Sequence, residues 1–332
     1  MKNIYSISRL NAINECMYQA FLTYKENKRG LDSIYTILGS HIHSELEKIV
    51  NGKSDKSNLK KALEKELEYS NLMGFEFIDN KVEKNYIDDM IYFCEHYQVP
   101  EGNFITEESV NYITPKGYQI RGYIDLQRIN NDGSIDIYDY KTSSMFKSKE
   151  MIHHGRQLVV YALAKKQQGF KVNSLHWIML KYITVTFYGL KAVNSKKKSL
   201  ITKNVEICKI GKEFEQKLKS TMLFDNYSEE EASLISSTFA ETNQIPIEYK
   251  NDFDIKPCYL NYNLTEDVIK ECINYIEKTI EKWESAWEYP PKELTSNNTF
   301  YCYNICPHRK ECQYISNYSQ EQESEVNIND LF

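Results

Sequence analysis

A chain of 332 residues with 41% hydrophobic and 13% aromatic content can bury a large core, which excludes a disordered protein. Its net charge of −6 excludes a basic, non-specific coat for nucleic acid but leaves room for a local basic groove. No run of 18 apolar residues is present and the first five residues carry no signal-peptide core, so a soluble cytoplasmic protein with no membrane segment is expected; its eight cysteines suit a metal or cluster better than disulfides.

The chain opens with a predicted helix over residues 4–24, starting near Ser6 or Ser8. Leu10, Ile13, Met17, Phe21 and Tyr24 form its apolar stripe, and Cys16 lies beside that stripe. Gly39 before a helical pattern suggests a tight entry into a second helix near Ser40. There His43 and Glu47, four apart, share a face and could ligate or support a metal; most such pairs are surface pairs. Residues 61–73 and 80–98 read as two amphipathic helices that cap the rest.

A strand is predicted over 104–112. It is followed by the hairpin 117–141, whose turn is Asn130-Asn-Asp-Gly133. Pairing its arms brings Asp125 close to Asp139 and Lys141, and the latter two face one side because they are two residues apart. Two carboxylates and a lysine on one face suit a divalent-metal phosphodiesterase. Charges on an antiparallel sheet are also, ordinarily, its solvated face. A helix over 151–168 places Gln157 and Tyr161 on one face, able to meet the same site. A long strand at 175–188, a basic loop at 191–198, a short strand at 203–208 and helix over 211–245 follow. Residues 249–260 read as irregular and 265–287 as a capped helix.

Cys302, Cys306 and Cys312 lie within eleven residues and need a fourth ligand. His308 would complete a local zinc site, whereas Cys16 would complete a cluster that ties the two ends of the chain together. Residues 317–332 form an acidic tail with a disordered composition.

Taken in order, Ser6-Ile-Ser8-Arg9-Leu10…Cys16, Gly39…His43, Gly122…Asp125, Asp139-Tyr140-Lys141, Gln157…Tyr161 and the three late cysteines resemble the RecB-like branch of the PD-(D/E)xK nucleases in its iron–sulfur form. That form includes CRISPR-associated RecB-like, AddAB-type and phage exonucleases. Two positions depart from the pattern: Met17 stands where proline often follows the first cysteine, and three residues rather than two separate Cys302 from Cys306.

The resemblance implies an α/β fold with a restriction-endonuclease-like core, a mixed central sheet flanked by helices, helical insertions and a C-terminal cluster-binding segment. One nuclease domain would span 1–316, with its core at about 30–210, a helical region at 211–290 and the cysteine segment 299–316 joined to Cys16. Asp125, Asp139, the Tyr140 carbonyl and His43 would hold Mg²⁺ or Mn²⁺, and the imidazole would favour Mn²⁺. Lys141 would position the attacking water, and Gln157 and Tyr161 would hold the DNA strand. Cys16, Cys302, Cys306 and Cys312 would bind a [4Fe–4S] cluster, with Zn²⁺ the alternative. The implied activity is exonucleolytic hydrolysis of DNA ends or single strands in recombination, repair or phage DNA processing; a non-catalytic DNA-binding scaffold is the alternative. Asp330-Leu331-Phe332 resembles peptides that dock on sliding clamps and, loosely, the tails of single-stranded-DNA-binding proteins.

Overall fold

The computed structural model describes residues 3–295 and 299–315. The single helix expected at the start is two. Ser6 caps α1 (Ile7–Glu15) by accepting the Arg9 amide hydrogen at 3.1 Å. The extended backbone of Cys16 (φ −156°, ψ 104°) then ends α1 and starts α2 (Met17–Tyr24). The Cys16 sulfur accepts the Gln19 amide, so the thiol does for α2 what the serine does for α1.

The second expected helix also begins elsewhere. α3 (Ile34–Val50) starts from Ser33, which accepts the Thr36 amide, and Gly39 lies inside it rather than at its entry. A Cβ at Gly39 would come 3.0 Å from Thr142 Oγ1, so glycine here lets the helix approach the strand end closely. α4 (Asn58–Leu72) and α5 (Asn80–His96) follow, near their expected bounds.

The strands β1 (Ile4–Tyr5), β2 (Asn103–Ile113), β3 (Gln119–Ile129), β4 (Ile135–Lys141), β5 (Val172–Gly189), β6 (Ser199–Glu206) and β7 (Phe253–Asn261) form one seven-stranded mixed sheet. Gly133 at φ +76° makes the β3–β4 turn. β3 pairs antiparallel with β2 and β4, and parallel with β1 at Gln119 and Ile120. The crossover helix α6 (Ser148–Gln167) returns the chain parallel to β4 as β5, which then pairs antiparallel with β6 and β7. The stretch 249–260, read as irregular, holds β7. Pro257 hides that strand from the sequence, because proline in a strand removes a ladder donor; it sits opposite Ile183, where the β5–β7 register shifts. The helical stretch 211–245 resolves into α7 (Ile210–Phe224) and α8 (Glu229–Thr242), and α9 (Glu266–Ser285) matches its expected position.

Helices cover both faces of the sheet. α1, α6 and α9 pack on one face with Ile120, Ile124, Ile137 and Trp177. α3, α4 and α5 pack on the other with Leu126, Tyr140, Ile178 and Leu180. A third cluster joins α7 and α8 to the far ends of β5 and β6. Among the described residues, no helix is long and apolar enough to cross a membrane.

Candidate active site

The β3–β4 ladder runs from Ile129↔Ile135 to Leu126↔Tyr138 and stops there. Asp125 and Asp139 are next in register, so the two carboxylates stand at the fork where the strands part. A second distortion aims Asp125. In β2, Glu107 takes a left-handed φ of 50°, and the β2–β3 pairing skips Glu107 opposite Asp125. On either side of this point the faces exchange: Ile124 packs with the α6 layer, whereas Leu126, two residues on, packs with the α3 layer. Strict alternation would have put both on one face.

The Asp125 carboxylate accepts the Tyr140 amide hydrogen at 2.8 Å, and the His43 Nδ1 atom of α3 lies 3.5 Å from it. Asp139 is buried, with Oδ2 2.6 Å from Lys141 Nζ; that oxygen completes no well-aligned hydrogen bond. Lys141 donates instead to Gln157 Oε1 at 3.1 Å, and Gln157 Nε2 donates to the Tyr161 hydroxyl at 2.6 Å. Gly122 makes room for that tyrosine, since a Cβ there would sit 2.5 Å from Tyr161 Cε1. Thus α3, β3, β4 and α6 bring His43, Asp125, Asp139, Lys141, Gln157 and Tyr161 into one constellation.

The electrostatics are those of crowded acids. Burial, then the neighbouring Asp139 charge, pushes the Asp125 carboxyl well above the usual carboxylate range. Burial lowers His43, so its imidazole is held neutral, the form that ligates metals. Burial and then the two aspartates raise the Tyr161 phenol. Glu107 bears on both Asp125 and Tyr161, and it is itself raised by burial and then by Glu47. The sequence reading missed Glu107, because its approach to the fork depends on a backbone twist that no spacing encodes. A divalent cation between Asp125 and Asp139 would relieve the repulsion that the two acids impose on each other, so the donor set fits a metal.

The second constellation lies at the ends of the chain. Cys16, Cys302, Cys306 and Cys312 are free thiols and line one small cavity, with Tyr301 and His308 beside them. Cys16 Sγ accepts two backbone amides, from Gln19 at 3.4 Å and Lys292 at 3.3 Å. Burial pushes the Cys306 thiol up to about 11 and raises Cys302 as well. The segment around the late cysteines is docked firmly. Leu31 N donates to Pro307 O at 2.8 Å, Arg309 donates to the carbonyls of Leu31 and Asp32, and a Cβ on Gly30 would lie 2.4 Å from Pro307 Cβ. His308 is buried, with Nε2 2.9 Å from Thr23 Oγ1. Among the described residues, the trio of possible ligand atoms lying within 4.8 Å of one another is elsewhere: Asp89, Glu206 and Cys208.

A family-wide profile described as the PD-(D/E)XK nuclease superfamily matches residues 4–313. No curated protein matches the sequence. Among solved structures, one titled "Crystal structure of SSO0001" aligns over 95% of this chain and 87% of that chain, at 12% identity and a TM-score of 0.34.

Proposed function

The chain belongs to the PD-(D/E)XK nuclease superfamily, a group of metal-dependent nucleases, and we propose that it is an exonuclease of the RecB-like, iron–sulfur branch acting on DNA ends or single strands in recombination, repair or phage DNA processing. The observation that carries the catalytic part is the fork between β3 and β4, where Asp125 and Asp139 meet Lys141. Asp125, Asp139, the Tyr140 carbonyl and His43 would hold Mg²⁺ or Mn²⁺. Bound there, the ion would lower the pKa of water and neutralise phosphate charge. Lys141, tethered to Gln157, would hold the attacking water in line and stabilise charge gathering on the phosphoryl oxygens. The Gln157–Tyr161 pair would orient the strand beside the scissile bond.

Four free thiols around one cavity support a [4Fe–4S] cluster of structural role. With Cys16 the four sulfurs form a complete ligand set; His308 stands beside them, its Nε2 at Thr23 and its buried Nδ1 without a hydrogen-bond partner, and is the alternative fourth ligand. Zinc in place of iron is tested by metal analysis of the purified protein. The clamp-docking proposal for Asp330 to Phe332 concerns residues outside those described.

End dependence tests the exonuclease reading. Linear single- and double-stranded DNA should be degraded with Mg²⁺ or Mn²⁺, whereas covalently closed circles of the same sequence should survive. Equal loss of circles and linear DNA would make the enzyme an endonuclease.

A further inference from the structure

Behind the fork, on the α3–α5 side of the sheet, lies a cavity of about 580 Å³ that the catalytic reading does not use. It opens where β5 and β7 lose register. Five steps of β5, from Ile178 to Ile183, face only two steps of β7, from Tyr259 to Pro257, and the slack backbone leaves space beneath it. The size is that of a small-ligand site.

Three features define what it would take. One end is aromatic: Tyr138 stacks on His176 with ring centroids 4.9 Å apart, and Tyr259 meets Tyr138 edge-on at 6.3 Å. In the middle, the Tyr140 and Tyr97 hydroxyls are buried and lie beside each other, each within the other's hydrogen-bonding range. At the other end stands Lys181, half-buried, with no carboxylate oxygen within 4.0 Å among the described residues. Its Nζ lies 5.4 Å from the centroid of the Tyr86 ring. Burial lowers its pKa, and Glu206 and Asp89 act against that lowering. The five steps from His176 to Lys181 span roughly 16 Å of strand.

We propose that this cavity binds a short single-stranded nucleotide unit, with bases on the Tyr138–Tyr259 aromatic end and a phosphate at Lys181. Aromatic platforms with a cation at phosphate distance are how proteins hold single strands without reading sequence, and roughly 16 Å accommodates about two nucleotides. The occupant is either a free dinucleotide, such as a nuclease could release, or the end of a longer strand. The two share the same chemistry.

The site can be tested apart from catalysis. The probe is 5′-phosphorylated thymidine dinucleotide, titrated calorimetrically into the full-length protein in EDTA. Binding is expected for the native protein and, undiminished, for Asp139→Asn, whose change lies on the other face of the sheet. Lys181→Ala should weaken it by roughly tenfold or more, the loss of a charge-assisted hydrogen bond. Val99→Trp, a bulky change at a 41% exposed rim position, should block it while the melting temperature holds. A 5′-phosphorylated decamer that displaces the dinucleotide identifies a strand end as the occupant; one that fails to displace it identifies the free dinucleotide. Absence of binding to the native protein, unchanged affinity in both cavity variants, or loss of binding in Asp139→Asn alone would each overturn the proposal.

Discussion

Asp125 and Asp136 show how neighbours set opposite titrations for one residue type. Asp125 is raised by burial and by Asp139. Between the unfolded pKa near 4 and its higher folded value, the folded state holds the proton that the unfolded state has lost, so this group's contribution to stability falls as pH rises. In a chelator, Asp125→Asn should therefore gain stability relative to the native protein as pH increases from about 4 towards neutrality, and added Mn²⁺ should narrow the gap. Chemical denaturation of both proteins across that range, with and without metal, checks it. For Asp136 burial acts upward too, but hydrogen bonds from Ser174, Asn173 and Arg128 outweigh it and hold the pKa at about 2. That group's stabilisation is complete above about pH 4 and is lost as pH falls towards 2. The cost of Asp136→Asn should therefore shrink by roughly 2 kcal/mol over that window, read from the same denaturation curves. At this scale the sequence showed the charged trio, because spacing along two strands is enough to align Asp125, Asp139 and Lys141. Glu107 stayed hidden because its place depends on φ.

The elements most legible in the sequence were those with a clean period and a cap: α3 to its end at Val50, α5, α6, α9 and the hairpin through Gly133. Boundaries set by tertiary contact were not legible. Cys16 breaks a helix whose apolar stripe runs on without interruption, and Gly39 serves an approach to Thr142 rather than a turn. Gly122 shows what such contacts do. Alanine there must push Tyr161 away from β3 or bend the strand. Gly122→Ala should lower activity roughly 10- to 100-fold through the Gln157–Tyr161–Lys141 chain, with a loss of about 1–3 kcal/mol in stability from overpacking. Paired nuclease assays and melts measure both, and native activity in a folded Gly122→Ala protein would remove Tyr161 from the account.

Across the whole molecule the ends meet: the turn between α1 and α2 supplies Cys16, and the last described segment supplies Cys302, Cys306 and Cys312 to the same cavity. Joining residues so distant in sequence constrains the unfolded chain, at least in the entropy picture. Cys16→Ala should lose most of its iron and melt several degrees lower, while any protein that stays folded keeps its Mn²⁺-dependent activity per molecule. Iron analysis with a thermal melt decides it, and unchanged iron would place the fourth ligand elsewhere, with His308 the first suspect. The pairing of the two ends was legible through the ordered motifs; the docking of Gly30 to Asp32 against Pro307 and Arg309 was not, because it is backbone contact between segments with no shared pattern. The central claim is that the fork of β3 and β4 is a hydrolytic site. Its most direct test is digestion of end-labelled DNA with Mg²⁺ or Mn²⁺ by the native protein and by Lys141→Ala. The native protein should cleave, and the variant, folded and still binding DNA, should lose at least about 10²-fold; full activity in Lys141→Ala would contradict the assignment.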